Sequence, residues 1–142
     1  MDEIAYRQAL SVTVPRSCPF EKSILTMCAA CSRAEKRNIA EREIVACNNV
    51  EAHRLCIELR DLLRINFTFS LGKTHIDGPL PHSQEMRMQC GGLKGLQFVL
   101  DGGGEAHDVA ALLGTARQKF GELPDFPFEQ IVRLANIHYK PR

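Results

Sequence analysis

The chain contains no tryptophan, only 6% aromatic residues and almost no surplus of charge, with 18 Lys and Arg against 17 Asp and Glu. The balanced charge removes the electrostatic reason to expect a nucleic acid or an anionic membrane as partner. The shortage of aromatics argues against a base-stacking platform. No apolar run approaches the length that spans a bilayer. The opening stretch, MDEIAYRQALSVTV, begins with two acids and lacks a basic segment followed by an apolar one, so it does not read as a secretory signal. These absences lead to the expectation of a cytoplasmic protein that engages neither membrane nor nucleic acid.

What is present is a composition of 44% hydrophobic and 25% charged residues over 142 positions, which suits one globular domain spanning 1–142. Its N-terminal half, residues 18–56, holds five of six cysteines: Cys18, Cys28, Cys31, Cys47 and Cys56, with Cys90 further on. In a reducing compartment stable disulfides are uncommon, which leaves metal ligation, redox chemistry or plain packing to account for them.

Periodicity sets the expected elements. Residues 9–14 alternate weakly and suggest a short strand. Over 19–37 the apolar residues Phe20, Ile24, Met27, Cys28, Cys31 and Ala34 recur at spacings of three and four, as on one helix face. Pro19 then takes the first helical position, with Cys18 as N-cap and Glu21 as the third-residue acid. Ser23 and Thr26 are poor helix-interior residues, so a broken segment is the competing reading. EIVAC at 43–47 reads as a strand. Asn48 or Asn49 caps an amphipathic helix, VEAHRLCIELRDLLRI, and NFTFSL at 66–71 alternates like a half-buried strand. Helices are expected at 84–100 after Ser83, at 107–120 ending on Gly121, and at 127–138. The basic residues Arg33, Lys36, Arg37 and Arg42, interleaved with Glu35, Glu41 and Glu43, read as a solvated helix face. The sum is a predominantly helical α+β domain of about five helices and two or three short strands.

Thiolates are natural ligands of zinc and of iron–sulfur clusters. Structural zinc sites usually draw on two C-x₂₋₄-C pairs, or on Cys and His pairs, and only Cys28-x-x-Cys31 has that spacing. Single cysteines spread over helix ends and faces suit a sheltered iron–sulfur cluster better. The candidate set is Cys18, Cys31, Cys47 and Cys56, with Cys28 and Cys90 in reserve. Geometry restricts it: on a straight helix, rising about 1.5 Å per residue, Cys18 and Cys31 would stand roughly 20 Å apart. A break between them is therefore a condition of their sharing a site. Cys47 and Cys56 are an easier pair, because side chains on a helix lean toward its N-terminus.

Glycine-rich GGLKG at 91–95 sits inside a helical pattern. It makes room either for another backbone or for a bulky cluster. Gly72-Lys73-Thr74 lacks the upstream glycine of a phosphate loop. The histidines His53, His75, His82, His107 and His138 form no catalytic signature, though loop residues His75 and His82 are candidate site residues, and nothing else points to an enzyme.

The leading expectation is a small iron–sulfur protein, [4Fe–4S] in type, for electron transfer or for redox or oxygen sensing with a protein partner. The alternatives are a metal-free helical interaction module or accessory subunit, a structural zinc protein, and a Cys28–Cys31 dithiol redox pair.

Overall fold

The computed structural model describes residues 3–5, 16–102 and 108–141. From residue 16 onward it is predominantly helical α+β, as the periodicity indicates. The elements are α1 (Glu21–Leu25), β1 (Ala34–Ile39), β2 (Arg42–Cys47), α2 (Val50–Phe67), α3 (His82–Met86), a π-helical turn (Arg87–Gly91), α4 (Gly92–Asp101), α5 (Val109–Phe120), a 3₁₀ turn (Leu123–Asp125) and α6 (Phe128–His138). The strand expected at 9–14 lies outside the described residues, as does the beginning of the helix expected at 107–120.

Segment 19–37 is broken. Helix α1 stops after five residues in a Schellman arrangement: Cys28 N–H donates to Ser23 O and Met27 N–H to Ile24 O, with Met27 left-handed at φ 66°. Glycine is the usual occupant of that position, so nothing local marks the stop. Cys18 does not cap the helix either. Phe20 holds the N-cap position without a side-chain bond, and the Glu21 carboxylate accepts the Val45 N–H at 3.0 Å, tying α1 to β2.

The basic stretch forms β1, not a helix face. It pairs antiparallel with β2, Ala34 opposite Cys47 and Ile39 opposite Arg42, around a turn where Ala40 has φ 56°. Only Ile39 of β1 is fully buried, so the strand carries no alternating hydrophobic signal and exists through its pairing. Residues 16–18 add to the free edge of β2: Cys18 N–H donates to Val45 O at 2.9 Å and Cys47 N–H to Arg16 O at 2.8 Å.

Asn49 caps α2, its side chain accepting from Ala52 N–H at 2.8 Å. The helix runs on to Phe67, so NFTFSL is not a strand. Phe67 and Leu71, four apart, are buried, while Phe69 between them is 94% exposed. The helical spacing decides, not the alternation.

The core lies between α2, α4, α5 and α6, around Leu59, Leu63, Leu93, Leu96, Leu113 and Ile131. The helix expected at 84–100 is a continuous helical path from His82 to Asp101, interrupted by the π turn and starting after Pro81 rather than on a Ser83 cap. Its glycines answer to neighbouring helices. A Cβ on Gly92 would stand 2.8 Å from a Leu63 methyl, and one on Gly95 would collide with the Ile131 carbonyl oxygen. Close packing of α4 on α6, not a cluster, is the reason for Gly95. Gly102 ends α4 in the left-handed region at φ 87°.

Candidate metal centre

The six cysteines divide into two groups. Cys28 and Cys90 are joined, with Cα atoms 6.0 Å apart across 62 residues of sequence. Cys18, Cys31, Cys47 and Cys56 remain free thiols. All four line one small cavity of about 20 Å³, whose wall is completed by apolar neighbours including Phe20, Ile24, Ala52 and Val109.

Each thiol arrives from a different part of the fold. Cys18 stands on the short segment paired to β2, just before α1. Cys47 is the last residue of β2, opposite Ala34. Cys56 lies in α2, four residues beyond Ala52, so both face the cavity from one helix side. Cys31 sits on irregular backbone released by the break at Met27. That loop is docked on the start of α5, where Ala30 O accepts from Val109 N–H at 2.9 Å and Ser32 N–H donates to the Asp108 carboxylate at 3.1 Å. Asp108 is also the N-cap of α5, accepting from Ala111 N–H. Burial alone would raise its carboxyl, but the hydrogen bonds from Ser32, Ala111 and Ala110 prevail and hold it below the usual carboxylate range.

The sulfurs meet backbone donors. Cys18 receives the Phe20 N–H. Cys31 receives the Arg33 N–H, with Sγ and N 3.5 Å apart, and the Ala110 N–H from the first turn of α5. Both arrangements stabilise negative charge on sulfur. Burial acts in the other direction and dominates. It pushes Cys18 up to about 12, with Cys31, Cys47 and Glu21 adding repulsion. It pushes Cys56 to about 12 as well, reinforced by Cys18, Cys31 and Cys47. Cys31 is raised for the same first reason. Cys18, Cys31 and Cys56 are therefore protonated at neutral pH when nothing is bound, and Cys47 Sγ donates to Asn49 O at 3.3 Å.

Among the described residues, no group of three or more His, Cys, Asp or Glu stands close enough to hold a metal ion. A tetrahedral mononuclear site, with metal–sulfur bonds of about 2.3 Å, needs its sulfurs roughly 3.8 Å apart. The four thiols line a common space. Four cysteines are a donor set that an iron–sulfur cluster or a zinc ion can take. The cavity has room for little more than a water molecule, so a cluster would have to spread the thiols.

The Cys28–Cys31 dithiol is overturned as a pair, since Cys28 is bonded to Cys90. Among the described residues, no histidine lines this cavity. His53 Nε2 hydrogen-bonds Ser17 O at 3.0 Å, and His75 pairs with Asp77 on the surface. The described residues include no helix long and apolar enough to cross a membrane. Comparison with protein-family models, curated proteins and solved structures finds no match.

Proposed function

We propose that this chain is a small iron–sulfur protein in which Cys18, Cys31, Cys47 and Cys56 hold a [4Fe–4S] cluster for electron transfer or redox sensing. One observation carries the reading: of six cysteines, the four on separate elements line one cavity, and the remaining two are bonded to each other elsewhere. Four thiolates are the donor set such a cluster takes, and when bound it supplies one-electron redox chemistry.

The chain's own residues do the rest. N–H groups of Phe20, Arg33 and Ala110 donate to ligand sulfurs, which favours the more negative, reduced state and raises the potential. Phe20, Ile24 and Val109 exclude water from the sulfurs. Loading displaces the thiol protons, so it strengthens as pH rises. The thiols move apart chiefly at Cys31, which stands on irregular backbone, while Cys18 is held along β2 and Cys56 in α2. A partner protein exchanges the electron.

The test is anaerobic reconstitution with iron and sulfide, followed by metal and sulfide analysis and visible absorption. About four irons and four sulfides per chain are expected, together with a broad charge-transfer band that bleaches on reduction. A colourless chain with four titratable thiols after reconstitution overturns the proposal. Uptake of one zinc, with no iron retained, transfers the site to the zinc alternative.

A further inference from the structure

A second, larger cavity of about 570 Å³ lies between the start of α3, the π turn and the chain after α6. Both bonded cysteines are in its wall. Arg87, Lys94 and Lys140 line it together with His82, and among the described residues no acidic one does. No ion pair among the described residues involves Arg87, Lys94 or Lys140. Three cations lining one concave space, with no acidic lining residue among those described, leave a positive potential there, and that draws anions. Gln84, another wall residue, has a buried Oε1 with no hydrogen-bond partner among the described residues. The hydroxyl-bearing Ser83 and Tyr139 add neutral polar groups.

We infer that this cavity is a binding site for a small, multiply charged organic anion. The volume is that of an ordinary small-ligand site. Arg87, Lys94 and Lys140 neutralise the phosphate or carboxylate groups. The site is separate from the four-thiol cavity and does not depend on what that cavity holds. Because Cys28 and Cys90 form part of the wall, an occupant also covers the disulfide.

The test titrates the oxidised full chain with pyrophosphate and with citrate, by calorimetry and by amide chemical shifts, at low and high salt. Saturable binding is expected, with shifts at Arg87, Lys94 and Tyr139. Tighter binding of one probe assigns the headgroup as phosphate or carboxylate. Lys94→Gln and Arg87→Gln should each weaken binding about three- to tenfold, whereas Lys36→Gln on exposed β1 should change nothing. An independent readout is disulfide reduction by a neutral small thiol, which the bound anion should slow several-fold. Absence of saturable binding by both probes, or binding that Arg87→Gln and Lys94→Gln leave unchanged, overturns the inference.

Discussion

Around the first cavity Cys18, Cys31, Cys47 and Cys56 are free thiols with hydrogen-bond donors and apolar walls beside them. Around the second, Cys28 and Cys90 are bonded together under a rim of Arg87, Lys94 and Lys140. The same residue type serves opposite ends in the two places. In the first, four side chains come from four separated segments and none lies in bonding contact with another. In the second, the π turn brings Cys90 to face the residue just after the break in α1. A cysteine's chemistry here follows from which neighbours the fold delivers, and Cys28 and Cys31, three residues apart in sequence, fall on opposite sides of that division.

The largest effect should come from removing ligands. Cys47→Ser and Cys56→Ser should each abolish retention of a full cluster on reconstitution, while the double variant Cys28→Ala/Cys90→Ala should load iron normally. Equal loss of iron in both sets, measured per folded chain, would erase the distinction between the two cavities. The double variant should instead lose stability, by about 2–4 kcal/mol, because a loop of 62 residues is no longer closed in the unfolded chain. Denaturant melts of the metal-free proteins measure this.

Gly95→Ala should destabilise by about 1–3 kcal/mol in spite of alanine's better helix propensity, since its Cβ strikes the Ile131 carbonyl. A neutral result would mean that α4 and α6 part more easily than their packing implies. Met27→Gly should act in the other direction. Met27 is 71% exposed and left-handed, so the change loses little contact and relieves an unfavourable φ, adding roughly 0.5–1 kcal/mol.

The thiols themselves supply a pH test on metal-free protein. Cys18 and Cys56 are raised from 9.0 to about 12. Between those values the folded chain keeps protons that the unfolded chain has released, so unfolding is increasingly favoured as pH rises. The stability they contribute is whole below about pH 9 and declines toward pH 12. Cys18→Ser and Cys56→Ser should flatten that decline, and Cys28→Ala/Cys90→Ala should not. The smallest effect is expected at Phe69, where Phe69→Ser should stay within about 0.5 kcal/mol because the ring is almost wholly in solvent.

Much of the helical part was legible from spacing. Helix α2 carries its apolar face at three- and four-residue intervals, with Asn49 as cap, and α5 and α6 announce themselves similarly. Two kinds of feature escaped. Strand β1 is almost entirely exposed, so no hydrophobic alternation records it. The stop of α1 uses Met27 where a glycine is customary, so no turn residue records it. NFTFSL misled in the other direction, because Phe69 is apolar yet faces water.

By itself, the sequence determined a helix-rich single domain, an excess of cysteine without the paired spacing of a zinc ribbon, and the condition that Cys18 and Cys31 can meet only if the chain breaks between them. The tertiary structure decided that it breaks, that residues 16–18 lie along β2 beside Cys47, and that α5 docks on the loop carrying Cys31. It also decided that Cys28 leaves its near neighbour for Cys90. Periodicity reports which face of an element is buried. Which elements face one another depends on long-range pairing and packing that no local pattern encodes.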